Sequence, residues 1–571
     1  MTALNARLCD HLRRLYPEGD HSALASELIQ AMGGPQPLSN ITAPLWDQRD
    51  AVLISYGDSI LTPGQTPLAS LSRFIRRHLQ HRFTTLHLLP YFPYSSDDGF
   101  AVMDYRQVNP SLGDWSDVAT LARQMTLMTD LVLNHCSSRS RWFEQFKAGQ
   151  APGRDYFVTA DPGEDLSQVV RPRTSPLLRA VQTPQGQRHV WCTFSPDQVD
   201  LNFANPALLI EMVKILRYYL DQGSRWIRLD AVAFLWKQPG SDCLNLPQTH
   251  EIIRLLRTLV EALAPDTVLI TETNIPNRDN LSYFGNGNEA HLIYNFTLPP
   301  LVLHALLSGS STALRRWQMS MPPTREGTAY LNFLASHDGI GLRPVEGLLS
   351  DRDIDAMANR MQAFGGKISW RSLSGQQPRP YEINISLFDA CRGTLLQQDQ
   401  WQMARFLCAH TLMLGLEGIP ALYLHSLLAT ENDQQKLANT GNNRAINRHN
   451  WSTVELEAAL IDPSSPRRQA LEQLSQRLKL RQQQPAFHPN ATQFTLHLGE
   501  SLFGFWRQSR DRRQSIFAVH NLSHQPQSLC LADLNLIEPD CWRDLIGNQT
   551  LERTDASLTL APYQCLWLTN Q

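Results

Sequence analysis

Residues 226–232 read Trp-Ile-Arg-Leu-Asp-Ala-Val, which sets two opposite charges inside an apolar run. In an extended chain alternate side chains share a face, so Arg228 and Asp230 point one way and Ile227 and Leu229 the other. The chain then turns apolar again with Ala231, Val232, Ala233 and Phe234. A structural ion pair and a catalytic one both fit these seven residues. The surrounding chain has to separate the two.

Working outward, AVLISYG, TLHLLPYF and TDLVLNH precede the stretch, and TVLITETN, HLIYNFTL, YLNFLASHD and IPALYLHS follow it. Each is a short β-like run, and amphipathic stretches such as LASLSRFIRRHLQHRF and PALLIEMVKILRYYLDQG lie between many of them. Eight strands with helical crossovers predict an α/β fold, a closed parallel (β/α)8 TIM barrel. The rhythm assigns the barrel to residues 49–135 and 201–488. Residues 136–200 are polar and Pro-containing and far too long for one crossover, so they are expected to form an inserted subdomain. A smaller late insertion is expected over 345–400. Residues 1–48 predict a helical extension, ALNARLCDHLRRLY and SALASELIQAMG followed by a linker. From 489 to 571 short alternating strands with turn residues predict a C-terminal antiparallel β-domain.

The chain of 571 residues suits one large catalytic domain with attachments, and its 42% apolar content supplies a large core. A formal charge of −3 gives no reason to expect nucleic acid or a membrane surface as a partner. The opening residues lack the apolar core and small-residue cleavage site of a secretory signal. No segment approaches the roughly 20 apolar residues of a membrane span. Nine cysteines without a CxxC pair read as reduced core thiols, and the cytoplasm is the expected location. A homo-oligomer is compatible with all of this.

In such a barrel the chemistry sits at the C-terminal ends of the strands. Here those ends carry Asn134-His135, Arg228 with Asp230, Glu272-Thr273-Asn274 and His337-Asp338, and Asp97 and Phe100 follow the second strand. Acids at three strand ends suit glycosyl transfer with retention, in which a nucleophilic carboxylate and a protonated carboxyl stand roughly 5 to 5.5 Å apart. Asp230 beside Arg228 is the ionised candidate. Glu272 has no basic neighbour in its own strand and is the candidate acid. Asp338 is placed to stabilise positive charge on the sugar. His135 and His337 lack the spacing of a zinc site and are expected to bond hydroxyls, with no metal and no cofactor.

TDLVLNH, WIRLDAV, LITETN and ASHD, in that order, resemble the four signature segments of the α-amylase superfamily, glycoside hydrolase family 13. The resemblance implies Asp230 as nucleophile, Glu272 as acid/base and Asp338 as transition-state stabiliser. His135, Arg228 and His337 would surround the glucosyl unit. SSDDGFAVMDY, RPR at 171–173, TFSPDQVDLN, FTLPPLVLHAL, SHDGIGLRPVEGLL and NNRAINR are similar to the sucrose phosphorylase subgroup. By that similarity Asp97 binds hydroxyls at the closed end, Phe100 packs on the ring and Gln198 lies near the acceptor. Arg173 and Arg444 are then the phosphate candidates, since guanidinium groups bind a dianion bidentately; salt bridges are the competing role for both.

Two departures bear on the acceptor. AVAFLWKQPG replaces the Lys-His pair of long-chain amylases, and Glu272-Thr273-Asn274 with Tyr381-Glu382 replaces the Glu-Val-His and Tyr-Gln of sucrose phosphorylases. With ISYGDS, RPRTSPLL, ITETNIPNRDNLSYFG, NFLASHDGIGL and RPYEIN, the chain closely resembles glucosylglycerate phosphorylases over nearly its whole length. The resemblance implies reversible phosphorolysis of 2-O-α-D-glucosyl-D-glycerate to α-D-glucose 1-phosphate and D-glycerate. Inorganic phosphate is the co-substrate. Related acceptors, namely glucosylglycerol, sucrose or sucrose 6′-phosphate, stay open. For an anionic acceptor Arg173, Lys237 and Arg444 are the candidate cations, and Asn274, Asn277 and Tyr283 the candidate hydroxyl partners.

Overall fold

The computed structural model describes residues 2–34, 44–172, 175–371, 378–534, 542–551 and 557–571. Eight parallel strands close into a barrel, each paired with its neighbours in chain order and the first with the last. They are Val52–Ser55, Thr85–Leu88, Thr126–Val132, Ser224–Asp230, Val268–Thr271, Leu292–Tyr294, Ala329–Asn332 and Ile419–Tyr423. These are the eight apolar runs picked out above. Helices cover the outside and side chains fill the inside, so strand residues are buried on both faces.

The crossovers follow from local sequence. Asn205 caps the helix Pro206–Asp221 by accepting the Ala207 N–H at 3.0 Å, and Pro206 occupies a first-turn position that needs no N–H donor. Leu209, Met212, Val213, Leu216 and Leu220 form its buried stripe. Gly223, at φ +101, then makes the left-handed turn into the fourth strand. The stretch LASLSRFIRRHLQHRF begins in a helix that starts one residue earlier, Pro67–Phe74, and continues as a π-turn over Ile75–Leu79.

The N-terminal helices Thr2–Leu15 and His21–Ala31 pack on the barrel's own helices. The first lies against Pro247–Leu263 and the second against Pro206–Asp221. Leu8, Leu12, Leu28 and Ile29 are buried there, while His11 and Arg14 converge on Glu251 at 2.7 and 2.9 Å.

The long excursion is more regular than its polar sequence implies. It leaves and returns through an antiparallel stem, His135–Ser137 against Gln198–Asp200, and holds the helix Arg141–Lys147 and the hairpin Leu178–Thr183 with Gly186–Trp191. The late excursion draws in residues before 345, because Ile340–Gly341 pairs with Arg379–Asn384, which pairs with Lys367–Arg371. Beyond the barrel, six strands between Thr492 and Thr569 form an antiparallel sheet.

Candidate active site

Register builds the centre of the site. Arg228 pairs laterally with Asp130 on the third strand and with Ile270 on the fifth, and Asp230 pairs with Val132. Glu272 comes one residue after the fifth strand's last paired residue, Thr271. At 2% exposure, Arg228 serves three carboxylates. Its Nη1 donates to Asp230 Oδ1 at 2.7 Å and to Asp130, and its Nη2 lies 3.7 Å from Glu272 Oε2. Burial alone would raise the Asp130 carboxyl, but Arg228 and His87, whose Nε2 is 2.8 Å away, outweigh it and hold it at about 2. So much buried charge is sustained only because the partners compensate one another.

Burial raises the carboxyls of Asp230 and Glu272 above the ordinary carboxylate range; Arg228 opposes the shift at both, and their mutual repulsion reinforces it at Asp230. Glu272 has no basic neighbour in its own strand, but Arg228 reaches it from the next one. Its Oε2 accepts the Ala231 N–H at 2.9 Å, which leaves Oε1 to carry a proton. Arg228 stands closer to Asp230 than to Glu272, so its charge favours the ionised form of Asp230 more than that of Glu272. Ala231 itself sits at φ +50, a left-handed turn directly after Asp230.

The Asp97 end is shaped by three consecutive positive φ angles, +54 at Asp97, +46 at Asp98 and +115 at Gly99. A Cβ at Gly99 would come within 2.7 Å of the Pro90 carbonyl oxygen, so glycine is required there for space as well as conformation. Phe100 stacks on His337 with ring centroids 4.9 Å apart and planes 7° from parallel. Burial lowers the pKa of both His135 and His337, so both rings are neutral near pH 7. Gln198 belongs to this end and not to the acceptor side. Its Nε2 donates to Asp97 Oδ2 at 3.2 Å and lies 3.1 Å from His135 Nε2.

Asp97, Phe100, His135, Gln198, Arg228, Asp230, Glu272, His337 and Asp338 line one cleft, together with Arg444, Asn274 and Tyr381. Arg444 bridges Asp338 at 2.5 Å and Glu382, to which its Nε and Nη2 donate at 3.0 and 2.7 Å. Lys237 does not line the cleft. Its ammonium is 2.8 Å from Asp200 Oδ2 and donates to Asn134 Oδ1 at 2.8 Å, a buried pair that fixes the excursion's stem. Tyr283 is also diverted, stacking on His250 while its hydroxyl donates to Asn245 Oδ1 at 2.6 Å. Asn277 faces Thr297 and Met321. Arg173 lies outside the described residues.

Sequence reading gave no role to Asp130, Asp200 or Arg448. Asp130 had a signal, since alternation in TDLVLNH puts it on the face of Val132 and Asn134, in line with Arg228. Arg448 donates from Nε to the His337 carbonyl at 2.9 Å and pairs with Asp98, tying two loops that flank the cleft. That partnership spans too much sequence for any local pattern to reveal.

Comparison with known proteins places this geometry. The family profile described as "Alpha amylase, catalytic domain" matches residues 80–339, and "Maltogenic Amylase, C-terminal domain" matches residues 494–567. A glucosylglycerate phosphorylase of Spirochaeta thermophila is 43% identical over 532 residues, covering 92% of this chain and 90% of that protein. The glucosylglycerate phosphorylase of Escherichia coli is 40% identical, covering 92% of each. Among solved structures, a sucrose 6F-phosphate phosphorylase from Thermoanaerobacter thermosaccharolyticum shares the fold, with a TM-score of 0.72 at 23% identity over 83% of this chain and 94% of that one.

Proposed function

This chain belongs to the α-amylase family, in the branch of the glucosylglycerate phosphorylases, and on that premise we propose that it is a retaining glucosylglycerate phosphorylase. The observation that carries the reading is the convergence of Asp230, Glu272 and Asp338 on one cleft, in a chain 43% identical to such an enzyme over nine-tenths of its length.

In the first step Asp230 attacks the anomeric carbon of 2-O-α-D-glucosyl-D-glycerate. The bond to the glycerate oxygen breaks as Glu272 gives that oxygen its proton, and a β-glucosyl ester forms on Asp230. In the second step a phosphate oxygen attacks the same carbon from the vacated face. Asp230 leaves, Glu272 takes the phosphate's proton, and α-D-glucose 1-phosphate forms with net retention. Arg228 stabilises the Asp230 carboxylate each time it is released, and Asp338 stabilises positive charge on the ring in both transition states. Asp97, His135 and Gln198 bind hydroxyls, and Phe100 packs on the ring. No cofactor enters this scheme, since phosphate is a co-substrate.

Arg444 and Arg173 are assigned to phosphate, and Asn274 to the acceptor. Lys237 drops out of the acceptor site because Asp200 neutralises it behind the cleft wall. The pairing of Arg444 with Asp338 and Glu382 is the one feature that favours a second reading, an uncharged acceptor such as glycerol. Proton NMR of the purified chain with 2-O-α-D-glucosyl-D-glycerate and phosphate tests the proposal. α-Glucose 1-phosphate as first product supports it, whereas the β-anomer or free glucose refutes the mechanism.

A further inference from the structure

A second polar cavity lies beside the catalytic cleft. Asp98 and Arg448 line it, whereas Asp97, the chain neighbour of Asp98, and His337, whose carbonyl accepts from Arg448, line the cleft. Three donors at its wall have no hydrogen-bond partner among the described residues, namely Tyr56 Oη, Ser59 Oγ and Arg448 Nη2. Their residues are only 8%, 1% and 2% exposed. Buried donors are satisfied in nearly all folded proteins, so three orphans around one cavity point to an occupant that accepts hydrogen bonds.

The charges around the cavity specify what kind of occupant. Arg448 and Lys436 are matched by Asp58 and Asp98, which leaves no net charge to select a free anion or cation. The Lys436 ammonium is already committed, donating to the Arg448 carbonyl and to Asn450 Oδ1. Asp58 and Asp98 bring acceptor oxygens to the same wall, so the lining asks for groups that both donate and accept. Hydroxyls do both. Tyr94, 39% exposed, adds an aromatic face at the lining, on which a sugar ring can pack.

We propose that this cavity is a second, non-catalytic site for a neutral polyhydroxylated ligand, a hexose, which touches the wall that Asp98 and Arg448 share with the cleft. The site does not depend on which acceptor the catalytic cleft uses. It is tested on the full chain with D-glucose, by isothermal titration and by crystals soaked in the same sugar. The expected result is two glucose molecules per chain, one of them in the cavity bonded to Tyr56, Ser59 and Arg448. Tyr94→Ala and Asn450→Leu should each remove that one event while leaving glucose in the cleft and turnover of α-glucosyl fluoride unchanged. Ordered water alone in the cavity of a crystal whose cleft holds glucose would overturn the proposal. So would binding at crystal concentration only, or inorganic phosphate taking the cavity in preference to the sugar. The soak needs no variant, so a poorly folding Asn450→Leu chain leaves the test intact.

Discussion

The single guanidinium of Arg228 and the carboxylates around it decide what this cleft can do. Burial raises both Asp230 and Glu272, and the proposed mechanism needs the first ionised and the second protonated. The rate is therefore expected to fall on both sides of a maximum. It is lost as pH falls and Asp230 takes up a proton, and lost again as pH rises and Glu272 gives its proton away, with both limbs above the ordinary carboxylate range. Glu272→Gln should remove the alkaline limb with α-glucosyl fluoride, whose leaving group needs no proton, and should lower turnover of the glucoside on the order of 10³-fold or more. Stopped assays across pH with both substrates check this, and an alkaline limb surviving in the variant would assign it elsewhere. At this scale the sequence was informative for groups that end a strand. Asp230, Glu272 and Asp338 stand out because charge interrupts an apolar pattern at a fixed place in the fold. Partners across strands were not legible in the same way. Lys237 looked free for a substrate until the stem brought Asp200 to it.

Elements explain how the site is held. The first N-terminal helix reaches the barrel through Glu251, which also receives Arg254 at 3.0 Å; Arg254 in turn pairs with buried Glu289 at 2.7 Å. Burial would raise Glu251, but hydrogen bonds from His11, Arg254 and Arg14 bring it down from 4.5 to about 2. A carboxyl depressed on folding stabilises the fold above its unfolded value and loses that contribution as pH falls through the folded one. Glu251→Gln is thus expected to lower the Tm at neutral pH, with the gap to the unaltered chain closing between pH 4.5 and 2. Scanning calorimetry at several pH values measures that gap, and a gap independent of pH would mean that Glu251 acts through packing alone. The helices themselves were legible from their periodicity. Their docking on Pro206–Asp221 and Pro247–Leu263 was not, because an amphipathic face does not name its partner. The late excursion shows the same limit, since two residues, Ile340–Gly341, join its sheet without any strand-like run of their own.

For the whole molecule, eight apolar runs in the right order were enough to foresee a closed barrel, because closure needs only the count, the parallel sense and crossovers of sufficient length. The long excursion was legible as an interruption of that rhythm, while its hairpin was hidden by a polar, half-exposed sequence. Acceptor choice is a property of the assembled cleft, where Asp97, Asp230, Glu272 and Asp338 face Arg228 and Arg444. The most direct test of the central claim is phosphate release from α-D-glucose 1-phosphate with D-glycerate, glycerol, fructose, fructose 6-phosphate or water alone as acceptor. The account predicts strong release with D-glycerate and little in the other tubes. Equal release in every tube, water included, would mean that hydrolysis dominates and would contradict it.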